Sequence, residues 1–297
     1  MTGRAVTTIC LFGAYPIRVD GHPYHLGISG STEQLFQYLL VNLGRESRRE
    51  YLADLFWRNS TPERQRSALN SAIWRIKRQL RGVSGIDLYC DGPAVFLQAG
   101  DSVRMDAREL TEIVHSLTPG EEMNQAVADR LWRALDACAA PFMDGVTSDW
   151  VLTERERLFN LQIRGMTLLM HWLGQQRNYE DALEIGRRLL AADPARESAQ
   201  CEVMWLYMLN GQRAQAIRQY KWFCAWLGKE LAIEPMPETR ALYDHIRQEL
   251  DAERAGLKDS PVKPGDLESS RSAFNSLLGA IERSRRDLYE ALSSQSA

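Results

Sequence analysis

The chain has 297 residues, enough for two domains, and its 44% hydrophobic and 25% charged residues are typical of a globular protein with sizeable cores. Its five cysteines are odd in number and form no Cys-x-x-Cys pair, which disfavours a disulfide scaffold and indicates reduced thiols in a cytoplasmic protein. No apolar run approaches the roughly 20 residues that span a bilayer, so the sequence predicts no membrane partner.

The net charge of −3 is unevenly distributed along the chain. Residues 45–81 hold ten basic and four acidic residues, whereas residues 111–297 hold 22 basic and 28 acidic residues. A basic segment beside an acidic remainder indicates nucleic acid as the partner of one half and protein as the partner of the other.

The chain begins with signals for a short sheet and a helix. Residues 6–26 contain apolar and β-branched residues around Asp20-Gly21, a strong hairpin turn. Ser31 or Thr32 can then cap a helix that ends at Gly44.

Two more helices are predicted to follow. The first runs from Arg48 to Trp57 and buries Tyr51, Leu52, Leu55 and Phe56. The second runs from Pro62 to Leu80, because Thr61 can cap it and proline suits the first helical turn. Its core-facing residues recur at spacings of four, three and four: Leu69, Ile73, Ile76 and Leu80.

The other faces of the helix at Pro62–Leu80 are basic and polar, and they carry Arg64, Arg66, Asn70, Ser71, Trp74, Arg75, Lys77 and Arg78. Such a face suits a DNA major groove, where cations meet phosphates and Asn or Arg meets base edges. The alternative is a solvated basic face on an ordinary surface helix. This stretch alone does not choose between the two interpretations.

Two short apolar runs, Ile86–Tyr89 and Ala94–Gln98, then predict a hairpin across Cys90-Asp91-Gly92-Pro93. The order of sheet, three helices and hairpin is that of a winged helix with an N-terminal β-platform, and it occupies residues 1–105. In a helix-turn-helix the second helix of the pair enters the major groove.

These residues resemble a known family. ALNSAIWRIKRQL is similar to the recognition helix of the OmpR/PhoB-type winged helix found in Streptomyces antibiotic regulatory proteins. The preceding helix resembles the "R-x-x-L-x-x-x-L-W" motif, with Leu52 and Trp57 at motif positions. The resemblance implies that Asn70, Ser71 and Arg75 lie at the DNA interface.

Three positions depart from the family pattern. Ala72 stands where relatives commonly have His, and Trp74 where they often have Ser. The hairpin tip reads GPAVFL where relatives read PPGYRL, so no arginine is available there. A wing arginine in the minor groove adds affinity, and its absence leaves open weak or partner-assisted DNA binding. Trp74 is open to base contact, packing or protein contact.

From Asp106 the pattern is helical. Helices are predicted through Leu110–Leu117, ending at Pro119-Gly120, then over Ala126–Cys138, and a long one from Asp149 with Trp150, Leu158, Leu161, Ile163, Met166, Leu169 and Leu173 as candidate core residues. Ala182 and Ala216 lie 34 residues apart, the period of the tetratricopeptide repeat. Such repeats present a groove to a partner. The alternative is plain helical hairpins that support the first domain.

A second resemblance covers the rest of this region. ELAIEPMPETRALYDHI (Glu230–Ile246) is similar to the closing segment of the bacterial transcriptional activator domain, and WVLTERERL (Trp150–Leu158) to its "W-x-x-x-x-R-x-x-L" helix. Together the resemblances cover about residues 8–250. They imply an activator that binds promoter direct repeats, possible homodimers on DNA, and recruitment of RNA polymerase.

The predicted fold class is therefore mainly α: an α+β winged helix (β-platform, three helices and wing hairpin) followed by an all-α tetratricopeptide-like activator domain. The activator domain is placed at residues 106–251 and a linker at 252–267. Residues 268–297 form a C-terminal amphipathic helix or tail, whose apolar stripe is Phe274, Leu278, Ile281, Leu288 and Leu292. This segment can dock on its own chain, pair with another copy or stay disordered.

The sequence gives no sign of an enzyme, cofactor or metal site. The five histidines are scattered and form no HExxH or Cys/His metal spacing, and no phosphate-binding loop is present. The predicted site is a DNA interface. Arg48, Arg49, Arg64, Arg66, Lys77 and Arg78 are assigned to phosphates, and Asn70, Ser71 and Arg75 to bases or close backbone, with Trp74 beside them. The alternative function is a tetratricopeptide-type adaptor whose winged helix mainly contacts protein.

Overall fold

The computed structural model of the protein describes residues 6–13, 17–117 and 123–254. The strands, in chain order, are β1 (Thr7–Ile9), β2 (Ile17–Val19), β3 (His22–Tyr24), β4 (Ser47–Arg48), β5 (Ile86–Tyr89), β6 (Ala94–Ala99) and β7 (Val103–Met105). The helices are α1 (Ser31–Val41), α2 (Arg49–Trp57), α3 (Pro62–Leu80), α4 (Asp106–Ser116), α5 (Gln125–Ala137), α6 (Asp149–Gln175), α7 (Tyr179–Ala192), α8 (Glu197–Leu209), α9 (Arg213–Glu230) and α10 (Pro237–Arg254).

The chain forms two compact units, residues 1–162 and 163–297, which divide within α6. This division differs from the predicted domain boundary after residue 105, which stays a prediction. The helix α10 continues to Arg254, so the first three residues of the predicted linker are helical. The turn predicted at Pro119-Gly120 and the segment 268–297 lie outside the described residues. Among those residues, no helix is both long and apolar enough to cross a bilayer.

The first unit contains the predicted winged helix. Its β-platform has the order β3-β2-β1-β7, in which β1 pairs antiparallel with β2 and parallel with β7. Asp20 and Gly21 both have positive φ (51° and 79°), as the predicted tight hairpin turn requires. The strand β7 was not predicted. It forms because Val103 pairs with Thr7, a partner at the other end of the unit.

The wing is a three-stranded sheet of order β4-β6-β5. The prediction for Arg48 was wrong by one element. Arg48 was placed in the second helix, but it lies in β4, opposite Ala94 of β6, and α2 begins one residue later. The side chain of Leu52 is buried as predicted. Tyr51 is instead exposed, Leu55 and Phe56 are half-buried, and Ala53 takes the inward position.

The predicted helix caps are only partly correct. The N-cap of α1 is Gly30, and Ser31 is the first helical residue, so neither Ser31 nor Thr32 caps this helix. Thr61 does occupy the N-cap of α3, but its side chain makes no capping hydrogen bond. The bounds of α3 are nevertheless as predicted, because Pro62 fixes its first turn and its apolar stripe continues to Leu80.

Two polar side chains, the buried Asp106 and the half-buried Arg155, bond to backbone groups of the first unit. The Asp106 carboxylate accepts hydrogen bonds from the backbone N–H groups of Leu11 (2.9 Å), Phe12 (3.1 Å) and Ala107 (2.7 Å). Burial raises the pKa of this carboxyl, and the donated N–H groups act in the opposite direction. The Arg155 guanidinium donates to the carbonyls of three residues in the irregular stretch before α6: Phe142, Met143 and Val146.

Trp150, predicted as a core residue, is only half-buried. Its ring contacts Tyr38 of α1 edge to face, with a centroid distance of 5.3 Å. Leu158 and Leu161, predicted on the same helix, are buried. The helix α6 therefore packs along one apolar face, as its spacing predicted.

In the second unit, consecutive helices from α7 to α10 pack against each other. The tetratricopeptide-spaced residues Ala182 and Ala216 are both fully buried. Ala216 lies in a core cluster with residues of α8 and α10, beside stacked Tyr220 and Tyr243 rings whose centroids are 4.1 Å apart. Small residues at these positions let neighbouring helices approach closely, which is the arrangement that the repeat predicted.

Candidate nucleic-acid interface

The helix α3 exposes nearly all of the predicted site. The side chains of Leu69, Ala72, Ile73, Ile76 and Leu80 are buried, whereas Arg64, Arg66, Asn70, Ser71, Trp74, Arg75, Lys77 and Arg78 are exposed. Successive residues turn by about 100° around a helix. Ser71, Trp74 and Arg78 therefore point directly away from the buried stripe. Asn70 and Lys77 lie on one flank, and Arg75 lies on the other.

The cations of this helix are free to bind an external anion. Within the described residues, no acidic side chain forms an ion pair with Arg64, Arg66, Arg75, Lys77 or Arg78. Because no carboxylate of the protein neutralises these cations, a phosphate can bind them without displacing an internal ion pair. The basic face of α3 therefore has the charge expected of a surface that binds a polyanion.

Trp74 is not a packing residue of the core. Its side chain is 61% exposed, and the Arg78 guanidinium lies 5.5 Å from its ring centroid, in cation–π geometry. An aromatic ring this exposed, at the outer surface of a basic helix, can stack on a ligand. The packing alternative is excluded, and base contact and protein contact remain.

Arg49 differs from the other predicted cations because the protein already engages it. Its backbone N–H donates to Pro93 O (2.9 Å), its Nη1 to Cys90 O (3.1 Å) and its Nη2 to Asn70 Oδ1 (2.5 Å). These bonds join the start of α2 to the wing tip and to α3. A groove of about 270 Å³ lies between α2 and α3 and is lined by Arg49, Arg66 and Asn70 among others. Neighbouring Arg48, on β4, is exposed.

The wing hairpin, β5 and β6 with their turn, carries no cation, and the cation of the wing sheet is Arg48 on β4. Residues 86–99 contain Asp87 and Asp91 and no Lys or Arg. Val95 of β6 is fully buried. The surface feature of the wing is instead a stacked pair, Tyr89 and Phe96, with ring centroids 5.0 Å apart and planes 9° apart. Two carboxylates repel phosphates, so the wing hairpin adds no electrostatic attraction to DNA.

Sequence reasoning missed the bracing contacts of Arg49 and the aromatic pair on the wing. The signal for the pair was available, since Tyr89 and Phe96 are each one step out of phase with the apolar residues of their strands. No local signal marks Arg49, because its partners lie 21 and 41 residues further along the chain. Among the described residues, no group of three or more metal-binding side chains occurs.

The chain is similar to known proteins over most of its length. Residues 100–247 match the model of the family described as bacterial transcriptional activator domain. The chain is 25% identical over 287 residues to regulatory protein AfsR of Streptomyces coelicolor, which takes in 91% of this chain and 28% of AfsR. It is 27% identical over 226 residues to transcriptional regulatory protein MoaR1 of Mycobacterium bovis, which takes in 71% of this chain and 70% of MoaR1.

A solved structure has the same fold. EmbR of Mycobacterium tuberculosis, in complex with a low-affinity phosphopeptide, superposes with a TM-score of 0.68 at 20% identity, over 94% of this chain and 70% of EmbR. The shared fold is a winged helix followed by a helical domain. The matched family and relatives are transcriptional regulators, not enzymes.

Proposed function

From the match of residues 100–247 to the bacterial transcriptional activator domain, we propose that the chain is a sequence-specific DNA-binding activator of transcription. It would act in the cytoplasm, on the nucleoid when bound to promoter DNA. The observation that carries the proposal is the unpaired basic face of α3, which a winged-helix fold presents for contact.

The shape of α3 suits a major groove. A helix with its side chains is about 10–12 Å wide and the groove is about 12 Å wide. Ser71, Trp74 and Arg78 would then face the base edges, and the flanking Lys77 and Arg75 would face the two phosphate backbones. This assignment changes one of the roles predicted from sequence, because Arg78 moves from phosphate to base contact. For Arg75, predicted at bases or close backbone, it selects the backbone.

The helical domain would supply the activating contact. By family resemblance, the protein binds promoter direct repeats, as two copies, and holds RNA polymerase at the promoter. The mechanism is recruitment and requires no catalytic residue or cofactor. Tetratricopeptide-like helices support this role because they present an extended surface to a protein partner.

A gel shift and footprint on the DNA upstream of the protein's own gene test the proposal. We expect a protected region with internal repeats for the wild type and loss of specific protection for Arg78→Ala, whereas Arg75→Ala should weaken binding to all sequences alike. Arg133→Ala, which removes an exposed arginine from α5, is the matched control and should protect normally. An Arg78→Ala variant that footprints like the control would contradict the assignment of α3.

The acidic wing favours a second candidate, in which the winged helix contacts protein and the chain is an adaptor. Trp74 and the Tyr89–Phe96 pair would then be protein contacts. The same gel shift separates the candidates. Retardation that weakens with salt supports DNA binding, and no retardation at low salt supports the adaptor.

A further inference from the structure

The geometry points to Arg49 as a positioning residue that makes Asn70 a donor toward DNA. This inference rests on the proposed function and adds which atoms of Asn70 are available. It begins from the bond of 2.5 Å between Arg49 Nη2 and Asn70 Oδ1. An arginine has donors and no acceptor, so only the oxygen of the Asn70 amide can face it. The orientation of this amide is therefore fixed by chemistry.

Arg49 is itself held in place. Its Nη1 donates to Cys90 O at the wing tip, and its backbone N–H donates to Pro93 O. The guanidinium is planar, so an arginine tied at one end of its fork points the other end in a defined direction. The bond to Asn70 is charge-assisted, and such bonds are about twice as strong as neutral ones. Asn70 is exposed on α3, and within the described part of the chain its Nδ2 group donates no hydrogen bond, so its two N–H groups can meet an external acceptor.

With Oδ1 engaged, Asn70 offers two N–H donors to an external group. An unengaged asparagine pairs with adenine through one donor and one acceptor, N6 and N7. An amide that offers two donors instead matches two adjacent acceptors, which among the bases in the major groove only the O6/N7 edge of guanine presents, or it meets a phosphate oxygen. Asn70 would thus disfavour adenine, the base that an asparagine with a free amide oxygen prefers.

The test uses the full-length protein and a pool of randomised duplexes, with Asn70→Ala, Asn70→Asp, Arg49→Met and the double variant Arg49→Met/Asn70→Ala. If Asn70 meets guanine, Asn70→Ala loses a guanine preference of about tenfold at one base position. If it meets a phosphate, Asn70→Ala weakens binding to all sequences alike. In both cases Asn70→Asp should bind more weakly than Asn70→Ala. One carboxylate oxygen keeps the Arg49 contact, and the other faces an acceptor atom of the DNA, which it repels.

The double variant tests positioning. Arg49→Met should weaken binding several-fold more when Asn70 is present than when it is Ala. Arg64→Met, which removes an unpaired cation of α3, should weaken binding equally in both backgrounds. Additive effects of Arg49→Met and Asn70→Ala, or an adenine preference at the position that Asn70→Ala loses, would overturn the inference. If Arg49→Met fails to fold, the comparison of Asn70→Asp with Asn70→Ala still decides. A wild type that enriches no sequence and binds no duplex refutes the proposed function instead.

Discussion

Gly186 of α7 offers a test of how closely the helices of the second unit pack. A Cβ atom added there would meet Val203 Cγ2 at 2.6 Å and Met170 Sδ at 3.0 Å. Replacing glycine by alanine inside a helix gains up to about 1 kcal/mol of helix propensity. Overpacking a close contact costs about 1–3 kcal/mol. Val203 is buried and β-branched, so it cannot rotate away and the packing cost should win.

We therefore expect Gly186→Ala to destabilise the second unit by roughly 1 kcal/mol. The matched control is Gly228→Ala in α9, where an added Cβ meets nothing within 4 Å, and this variant should gain about 0.5 kcal/mol. Thermal unfolding and hydrogen exchange of α7 and α8 peptides measure both changes. In a Val203→Ala background, Gly186→Ala should become stabilising. Exchange in α7 as slow in Gly186→Ala as in the wild type would refute the reasoning.

Three further expectations follow from the contacts. If Arg64, Arg66, Arg75 and Lys77 each meet one phosphate, DNA affinity falls about 150-fold between 50 and 200 mM salt. Arg64→Gln should then reduce the slope of log affinity against log salt by about 0.9, and an unchanged slope excludes that contact. Arg155→Ala frees three carbonyl groups and should destabilise the first unit by roughly 2 kcal/mol in urea unfolding, with part recovered in Arg155→Lys. Burial raises the pKa of Cys201 to about 12 and also raises the pKa of Cys138, so a thiol reagent at pH 8 should titrate no more than three of the five cysteines until denaturant is added.

The elements with strong local signals could be predicted from the sequence. The bounds of α3 agree because Pro62 and the apolar stripe act within the same helix. The observed strands β5 and β6 agree with the predicted hairpin because the turn that joins them is adjacent to both in the sequence. The strand β7 could not be predicted, since three residues carry little periodicity and its partner Thr7 is 96 residues away.

In the candidate site, contacts of single side chains likewise depend on partners distant in the sequence. From the sequence, Arg48 and Arg49 are adjacent cations that suit the same role. Their separation depends on where β4 ends and α2 begins, and on a wing tip that returns to this point from residue 90. A pattern of residue types predicts the charge of a surface well. It cannot predict which cations the protein itself engages, because that depends on partners distant in the chain.

The distribution of charge in the first unit explains why the activator would use repeated sites. Its α3 supplies unpaired cations, Arg49 is engaged internally, and the wing hairpin carries Asp87 and Asp91 with no cation. On the proposed function, one copy would contact DNA mainly through a single helix, and its affinity would be limited by the phosphates that this helix reaches. A second copy on an adjacent repeat, linked through protein contacts, would add avidity without a new DNA contact in either copy. Direct repeats would thus compensate for a wing hairpin that does not attract phosphate.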